Sequence, residues 1–261
     1  QAKLHEIPVI LLQMGLNFDT KEAYMMNYSQ SVYPINADKF AVWGKIYAED
    51  AKINGNIDDS KILSIGSPRF DSLIFNNKET SDDFVLLATS GPQREDLNGI
   101  SVPNIEKYKD SIKQICQIVK SQNKKLIIKL HPSWAELDIT DIAKNIDPSI
   151  EIITSGKIST LIKSCKLMIC MGLSTAILEA QILQKPVVSI PVIEYNWGNP
   201  TIFSSNACLI STVDDLPKIL QELDNDKFKN NVVENANKFL KNCLINHNSA
   251  SVKLMKYLDT L

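Results

Sequence analysis

The chain has 261 residues, 44% of them hydrophobic and 22% charged, with a formal net charge of −2. That is the make-up of an ordinary globular protein, long enough for one large domain or two small ones. No basic block stands out, which argues against a dedicated nucleic-acid binder, and no apolar run approaches the roughly 18 residues of a membrane span.

The five cysteines, Cys116, Cys165, Cys170, Cys208 and Cys243, are odd in number and widely spaced. That is neither a disulfide framework nor a zinc site, and buried free thiols in a reducing compartment are the simpler reading. Three histidines without ligand spacing give no reason to expect a protein-held metal. Gln1 is not an initiator methionine, and the first eight residues lack a leader pattern, so the chain reads as trimmed or processed at its start.

Residues 7–13 (IPVILLQ) predict a buried strand, with Met14-Gly15-Leu16 as the turn after it. The glycine suits either a ligand-facing loop or a plain turn. Residues 19–30 are polar with scattered aromatics and lean toward helix. Residues 38–43 (DKFAVW) predict a second strand ending at Gly44, and 46–53 a helix stopped by Asn54-Gly55-Asn56. Residues 61–65 (KILSI) predict a third strand, followed by Gly66-Ser67-Pro68-Arg69-Phe70-Asp71. Three strands in residues 1–75 are few for a Rossmann-type half. This stretch reads as a partial unit with further strands upstream, or as a naturally small one.

The polar run 76–83 (NNKETSDD) is the best linker. A second unit then opens with a strand at 84–88, the loop Thr89-Ser90-Gly91-Pro92 and a connection through 93–102. Ile112, Ile115, Ile118 and Val119 mark an amphipathic helix over 105–119. Strands at 126–130, 150–153, 167–170, 186–190 and 207–210 alternate with helices at 139–146, 158–164 and 174–183. Helices near 214–223, 226–243 and 249–259 follow, with Asp214 and Asp215 as N-cap candidates for the first. Such alternation implies a parallel sheet with helices on both faces.

Two stretches carry chemistry. In 126–132 (LIIKLHP), Leu126, Ile127, Ile128 and Leu130 make a strand buried on both faces, and Pro132 ends it. His131 is thereby placed at a carboxyl strand end, where open α/β sheets bind ligands, unless it is a plain surface histidine. Lys129 on the same strand adds positive charge or faces solvent. In 167–190 (LMICMGLSTAILEAQILQKPVVSI), a strand runs through a short loop with Gly172 into a helix starting at Ser174-Thr175. Its first free N–H groups make a site suited to a phosphate, unless Ser174 is only an N-cap. Glu179, about one and a half turns further on, suits ribose hydroxyls or is an exposed helix glutamate. Lys185-Pro186 ends that helix.

His131-Pro132, Ser174-Thr175 and the Glu179-Ala180…Lys185-Pro186-Val187-Val188 run together resemble the nucleotide-binding half of GT-B glycosyltransferases. The pattern is most similar to bacterial capsule and surface-polysaccharide transferases that use CMP-linked Kdo or sialic acid. There, a His-Pro dipeptide and a Ser-Ser/Thr pair hold the CMP portion of the donor. Gly66-Ser67-Pro68-Arg69-Phe70-Asp71 resembles the junction between the halves in that group. CDP-glycerol glycerophosphotransferases share a comparable Lys-x-His-Pro. Non-hydrolysing UDP-GlcNAc 2-epimerases share the architecture, but their Arg/Glu-rich signature is not found here. The resemblance covers residues 36–260. Many relatives carry Gln-His-Gly where this chain has Gln13-Met14-Gly15, so an acceptor-side histidine is absent.

The resemblance implies a two-unit α/β protein of GT-B type. Residues 1–75 would be a partial acceptor-side unit, and 84–261 a nucleotide-sugar-binding domain with C-terminal helices. It implies metal-independent transfer of a sugar from a nucleotide donor, CMP-linked, to a surface polysaccharide or lipid-linked glycan, with no cofactor and no nucleic-acid partner. The place would be cytoplasmic, with peripheral association at the inner face of a membrane. Lys129, His131, Pro132, Gly172, Ser174, Thr175 and Glu179 would bind the nucleotide. His131 and the helix start would stabilise charge on the departing nucleotide.

Asp71 is the first candidate to deprotonate an acceptor hydroxyl or attack directly; otherwise it pairs with Arg69 or caps the following turn. Glu95 and Asp96 are the second candidates for a base, or solvated loop carboxylates. Arg94 beside them suits a substrate carboxylate or phosphate. Glu194, Tyr195 and Trp197 lie in a loop open to substrate contact. His5 sits near a frayed start, and capping accounts for His247 within Asn246-His247-Asn248-Ser249. The alternative functions are a CDP-glycerol-type polyol-phosphate transferase and a non-catalytic nucleotide- or glycan-binding relative.

Overall fold

The computed structural model describes residues 2–33, 36–73, 83–90, 102–132, 136–192 and 196–261. Arg94, Glu95, Asp96, Glu194, Tyr195 and all of the expected linker but Asp83 lie outside the described residues. The strands are β1 (Ile10–Leu12), β2 (Lys39–Val42), β3 (Ile62–Ser64), β4 (Phe84–Ala88), β5 (Lys125–Lys129), β6 (Glu151–Ile153), β7 (Leu167–Cys170), β8 (Val187–Ser189) and β9 (Leu209–Ile210). The helices are α1 (Tyr24–Ser29), α2 (Lys45–Ile53), α3 (Val102–Ser121), α4 (Thr140–Ile146), α5 (Ile158–Ser164) and α6 (Ala176–Ile182). They continue with α7 (Thr201–Ser204), α8 (Leu216–Glu222), α9 (Asp226–Cys243) and α10 (Ala250–Leu258).

The chain divides into two units. One comprises Gln1–Ile74, Tyr195–Ala207 and Asn237–Leu261, and the other Phe75–Glu194 and Cys208–Ala236. The expectation of a single domain over 84–261 therefore differs from this division: residues 195–207 and 237–261 belong with the first unit. Helix α10 is buried only at its start, at Ala250, while Val252, Met255 and Leu258 are exposed.

In the first unit, β1, β2 and β3 form a parallel sheet in that order. Gln13, just past β1, ties it to β2: its Oε1 accepts from Trp43 N and its carbonyl from Trp43 Nε1, each at 3.0 Å. Gln13 thus has a structural task, while Met14 beside it is 84% exposed. Trp43 meets Tyr47 and Phe70 edge-on, at centroid distances of 5.8 and 5.4 Å. The C-terminal segment adds to this core through Ile245 N to Trp43 O at 3.0 Å and Asn246 Nδ2 to Ile65 O at 3.0 Å. Gly44 is needed for that approach, because a Cβ there would lie 2.6 Å from the carbonyl oxygens of Asn242 and Cys243.

In the second unit, six parallel strands run in the order β6-β5-β4-β7-β8-β9. The chain builds outward from β4 through β5 to β6, then returns to the other side of β4 for β7, β8 and β9. This is the doubly wound order, with its switch point between β4 and β7. All five residues of β4 are buried, as a central strand requires. Val85, Leu87, Ile112, Ile115, Leu126, Ile128 and Ile169 join one apolar core, each worth about 1.5–3 kcal/mol for removal from water.

Boundaries differ from expectation in two instructive places. Helix α6 begins at Ala176 rather than Ser174, because Ser174 is used as a side-chain acceptor ahead of it. Between the strands expected at 186–190 and 207–210, where no helix was expected, lies α7, which starts directly after Pro200.

Candidate functional site

In a doubly wound sheet, the two strands flanking the switch point send their connections to opposite sides and leave a crevice at their carboxyl ends. In the second unit those ends are Thr89-Ser90 after β4 and Met171–Thr175 after β7, with Leu130-His131-Pro132 after neighbouring β5. Side chains stitch them together. His131 N donates to Thr89 Oγ1 at 3.0 Å, and Thr89 N to Lys129 O at 3.1 Å. Ser90 Oγ donates to Met171 O at 2.7 Å, and Ser189 Oγ to Gly172 O at 2.9 Å. The two chemistry-bearing stretches are thus joined to adjacent residues of one strand end. His131 and Pro132 are exposed there, while Thr89 is 4% exposed.

Gly172 is buried and has φ +85°, a left-handed conformation that costs a side-chain-bearing residue about 1–3 kcal/mol. It turns the chain sharply from β7 toward α6. Ser174 Oγ accepts from Ala176 N at 3.3 Å, so Ser174 caps the start of the helix, and Thr175 occupies the N-cap position itself. Both are partly exposed. Glu179 is only 6% exposed, so the reading of a solvated helix glutamate does not hold.

Lys129 also differs from expectation. It is 5% exposed, and its Nζ donates to Leu130 O at 2.9 Å and Thr154 O at 3.4 Å. It does not face solvent, and its ammonium is engaged by backbone carbonyls. Burial pushes its ammonium below the usual lysine range, and the negative charge of Glu136 works against that push.

Glu136 is a residue that sequence reasoning missed. Its Oε1 accepts from the fully buried Tyr108 hydroxyl at 2.9 Å. Burial raises its carboxyl above the usual range, opposed by Tyr108, Thr89 and the His131 N–H and ring. No local spacing signals it, because Tyr108 lies 28 positions away in sequence.

Asp71 lies in the first unit, at the start of α10. Its Oδ1 accepts from Ala250 N at 3.0 Å, and its Oδ2 from Ser251 N at 2.7 Å and Ser251 Oγ at 2.5 Å. It is a helix cap, but of a helix some 180 residues away rather than of the following turn. Partial burial pushes the carboxyl up, but the Ser251 and Ala250 hydrogen bonds outweigh it and hold the group below the usual range. His247 stands beside it with Nε2 3.1 Å from Phe70 O. Asp, His and Ser are therefore neighbours, but the ring is turned to a backbone carbonyl and the hydroxyl to the carboxylate. A nucleophilic triad would instead place the imidazole between them. Trp197, also in this unit, packs edge-on against Phe18 at 5.3 Å and takes the Thr20 hydroxyl on its carbonyl.

Among the described residues, no three or more His, Cys, Asp or Glu side chains are grouped to hold a metal, and no helix is long and apolar enough to cross a membrane.

The family model described as LIC12162 family transferase matches residues 2–191. No curated protein matches the chain. Among solved structures, the chain is similar to Staphylococcus aureus MnaA in complex with UDP, at TM-score 0.66 and 14% identity, covering 100% of this chain and 72% of that one. It is also similar to the calicheamicin glycosyltransferase CalG4, at TM-score 0.59 and 11% identity, covering 100% and 70%. The wall teichoic acid polymerase TagF, H444N with CDPG, matches at TM-score 0.55 and 15% identity, over 86% of this chain and 58% of that one. At these identities the likeness carries the fold: parallel-sheet α/β architecture of the GT-B type.

Proposed function

The chain belongs to the LIC12162 family of transferases, and from that premise we propose that it moves a glycosyl group from a nucleotide-linked donor of CMP type to a surface polysaccharide or lipid-linked glycan. The observation that carries this reading is the joining of the His131 loop and the Met171–Thr175 turn to Thr89 and Ser90. One anionic ligand at that strand end would meet both.

In this reading His131 donates to a donor phosphate oxygen and stabilises the charge that grows on the departing nucleotide. Pro132 holds that histidine at the strand end. Gly172, Ser174 and Thr175 supply a close turn of backbone for the phosphate, and Glu179, about one and a half turns on, accepts from the ribose hydroxyls beside it. Lys129 contributes positive potential from within the sheet rather than by contact. The acceptor hydroxyl needs a base, and a useful base at neutral pH has a pKa near the working pH. Asp71 is shifted the opposite way and both its oxygens are engaged, so Glu95 is the base candidate retained. Structures of similar fold hold UDP in MnaA and CDPG in TagF, which agrees with a nucleotide-bearing donor.

A second reading, transfer of a polyol phosphate from a CDP-linked donor, is favoured by the Lys129-Leu130-His131-Pro132 spacing. Calorimetric titration of CMP, CDP and UDP into the wild type and His131→Ala tests the site. Binding to the wild type that weakens about tenfold or more in the variant supports it. If no nucleotide binds, or binding is equal in both, the reading is wrong. Turnover assays with a CMP-sugar against CDP-glycerol separate the two donors.

A further inference from the structure

Where β5 ends, the chain changes the way it is held. The Lys129–Leu130 peptide is bonded as in any parallel ladder: Thr89 N, just past β4, donates to Lys129 O at 3.1 Å, and Leu130 N donates to Ile153 O of β6 at 3.0 Å. At the next peptide, Leu130–His131, side chains take over. Its N–H, on His131, donates to Thr89 Oγ1 at 3.0 Å, and its carbonyl, on Leu130, accepts from Lys129 Nζ at 2.9 Å. The same ammonium reaches Thr154 O, just past β6, at 3.4 Å. A peptide fixed at both its N–H and its carbonyl cannot turn, and this is the peptide from which the exposed His131 side chain projects. Both side chains that hold it are buried, Thr89 at 4% and Lys129 at 5% exposure. Burying an ammonium is costly. A position that only had to be filled would take an apolar side chain, as Ile127 does two residues earlier on the same face.

We propose that Lys129 is a positioning residue: its ammonium, opposite the Thr89 hydroxyl, fixes the Leu130–His131 peptide and with it the direction in which the imidazole leaves the sheet edge. This deepens the nucleotide-site reading and rests on it for its functional meaning. A histidine left free to swing would lower affinity by the fraction of time it spends out of place. Most of the effect of Lys129 on a ligand therefore passes through His131, and only a small remainder through its charge.

The test uses the whole chain with Lys129→Met, which keeps the stem and removes the ammonium, in the wild-type and the His131→Ala backgrounds. Amide hydrogen exchange at His131 is read by NMR, with the Leu86 amide of β4 as internal control, and CDP affinity by calorimetry. Lys129→Met is expected to speed exchange at His131 about tenfold while Leu86 is unchanged, and to weaken CDP by about tenfold. In the His131→Ala background the same change is expected to weaken CDP by about twofold or less, because the imidazole it positions is gone. Unchanged exchange at His131 overturns the proposal. So does an effect on CDP that is equal in the two backgrounds, since the ammonium would then act on the ligand by its charge alone or not at all. Should Lys129→Met not fold, Lys129→Gln, which keeps a polar end but falls a bond short of Leu130 O, takes its place with the same readings. A wild type that binds no CDP sinks the nucleotide reading, and exchange at His131 then decides alone whether Lys129 holds the peptide.

Discussion

The backbone N–H of His131 is bonded to the hydroxyl of Thr89 at 3.0 Å, so a loop exposed to solvent is held by a side chain that is itself buried. Replacing Thr89 with valine keeps the volume and leaves that N–H facing a methyl group. An unpaired donor of this kind costs about 1–3 kcal/mol. Thr89→Val is expected to lower the denaturation midpoint accordingly, and Thr89→Ser to recover most of the loss. Equal stability of the two variants would show that the bond does not matter.

His131→Ala is expected to behave in the opposite manner. The side chain is exposed, and surface substitutions usually change stability by no more than about 0.5 kcal/mol. Nucleotide affinity should fall about tenfold or more while urea unfolding is unchanged. A large loss of stability would recast His131 as a structural residue.

Asp71 gives a prediction in pH. Its folded carboxyl lies below the usual range, so its contribution is fully present above the unfolded pKa of about 3.9 and is lost as pH falls through the lower, folded value. Asp71→Ala should cost about 1 kcal/mol at pH 7, the typical value of an N-terminal cap. The gap between wild type and variant should close in acid below about pH 4. Urea melts across pH 2 to 7 would show it, and a gap independent of pH would contradict the cap.

Gly66 has φ +97°, and a Cβ there would collide with the carbonyl oxygen of Ile245. Strain of that backbone costs about 1–3 kcal/mol before the collision is counted. Gly66→Ala is expected to lower the thermal midpoint more than Gly156→Ala. Gly156 has φ +84° as well, but its Cβ would meet nothing within 4 Å. The difference between the two isolates the packing of residue 245 against the turn after β3.

All five cysteines are free and buried. Burial pushes the thiols of Cys116, Cys165 and Cys243 up to about 12, and those of Cys170 and Cys208 upward as well. Since the thiolate is the reactive form, Ellman's reagent at pH 8 should react slowly with the native protein. All five should react promptly in guanidinium. A thiol that titrates at once in the native state would place a cysteine at the surface.

The elements that matched to the residue, β4, α5, β7 and α9, are those where an apolar run or helical period sits between clear breakers. The places of His131 and of the Gly172–Thr175 turn at strand ends were legible because such ends in a parallel sheet are marked by breakers. Glu136 was not, since its meaning comes from a tyrosine on another element. Lys129 misled for a related reason: a strand-end lysine reads as exposed until the carbonyls that bury it are known. Asp71 looked catalytic because the serine and amides that occupy it lie far along the chain. The four residues of α7 are too few to show a period, and the unit that residues 237–261 join depends on contacts no local pattern encodes.

The first unit is assembled from three stretches far apart in sequence. On the ribosome, the strands around Trp43 emerge early, but the residues that accept their final contacts are translated nearly two hundred codons later. Until then the nascent sheet has an unfinished aromatic surface. Maturation should therefore depend on chaperone holding, and truncations that remove residues 237–250 should accumulate as insoluble material even where every residue of the second unit is retained.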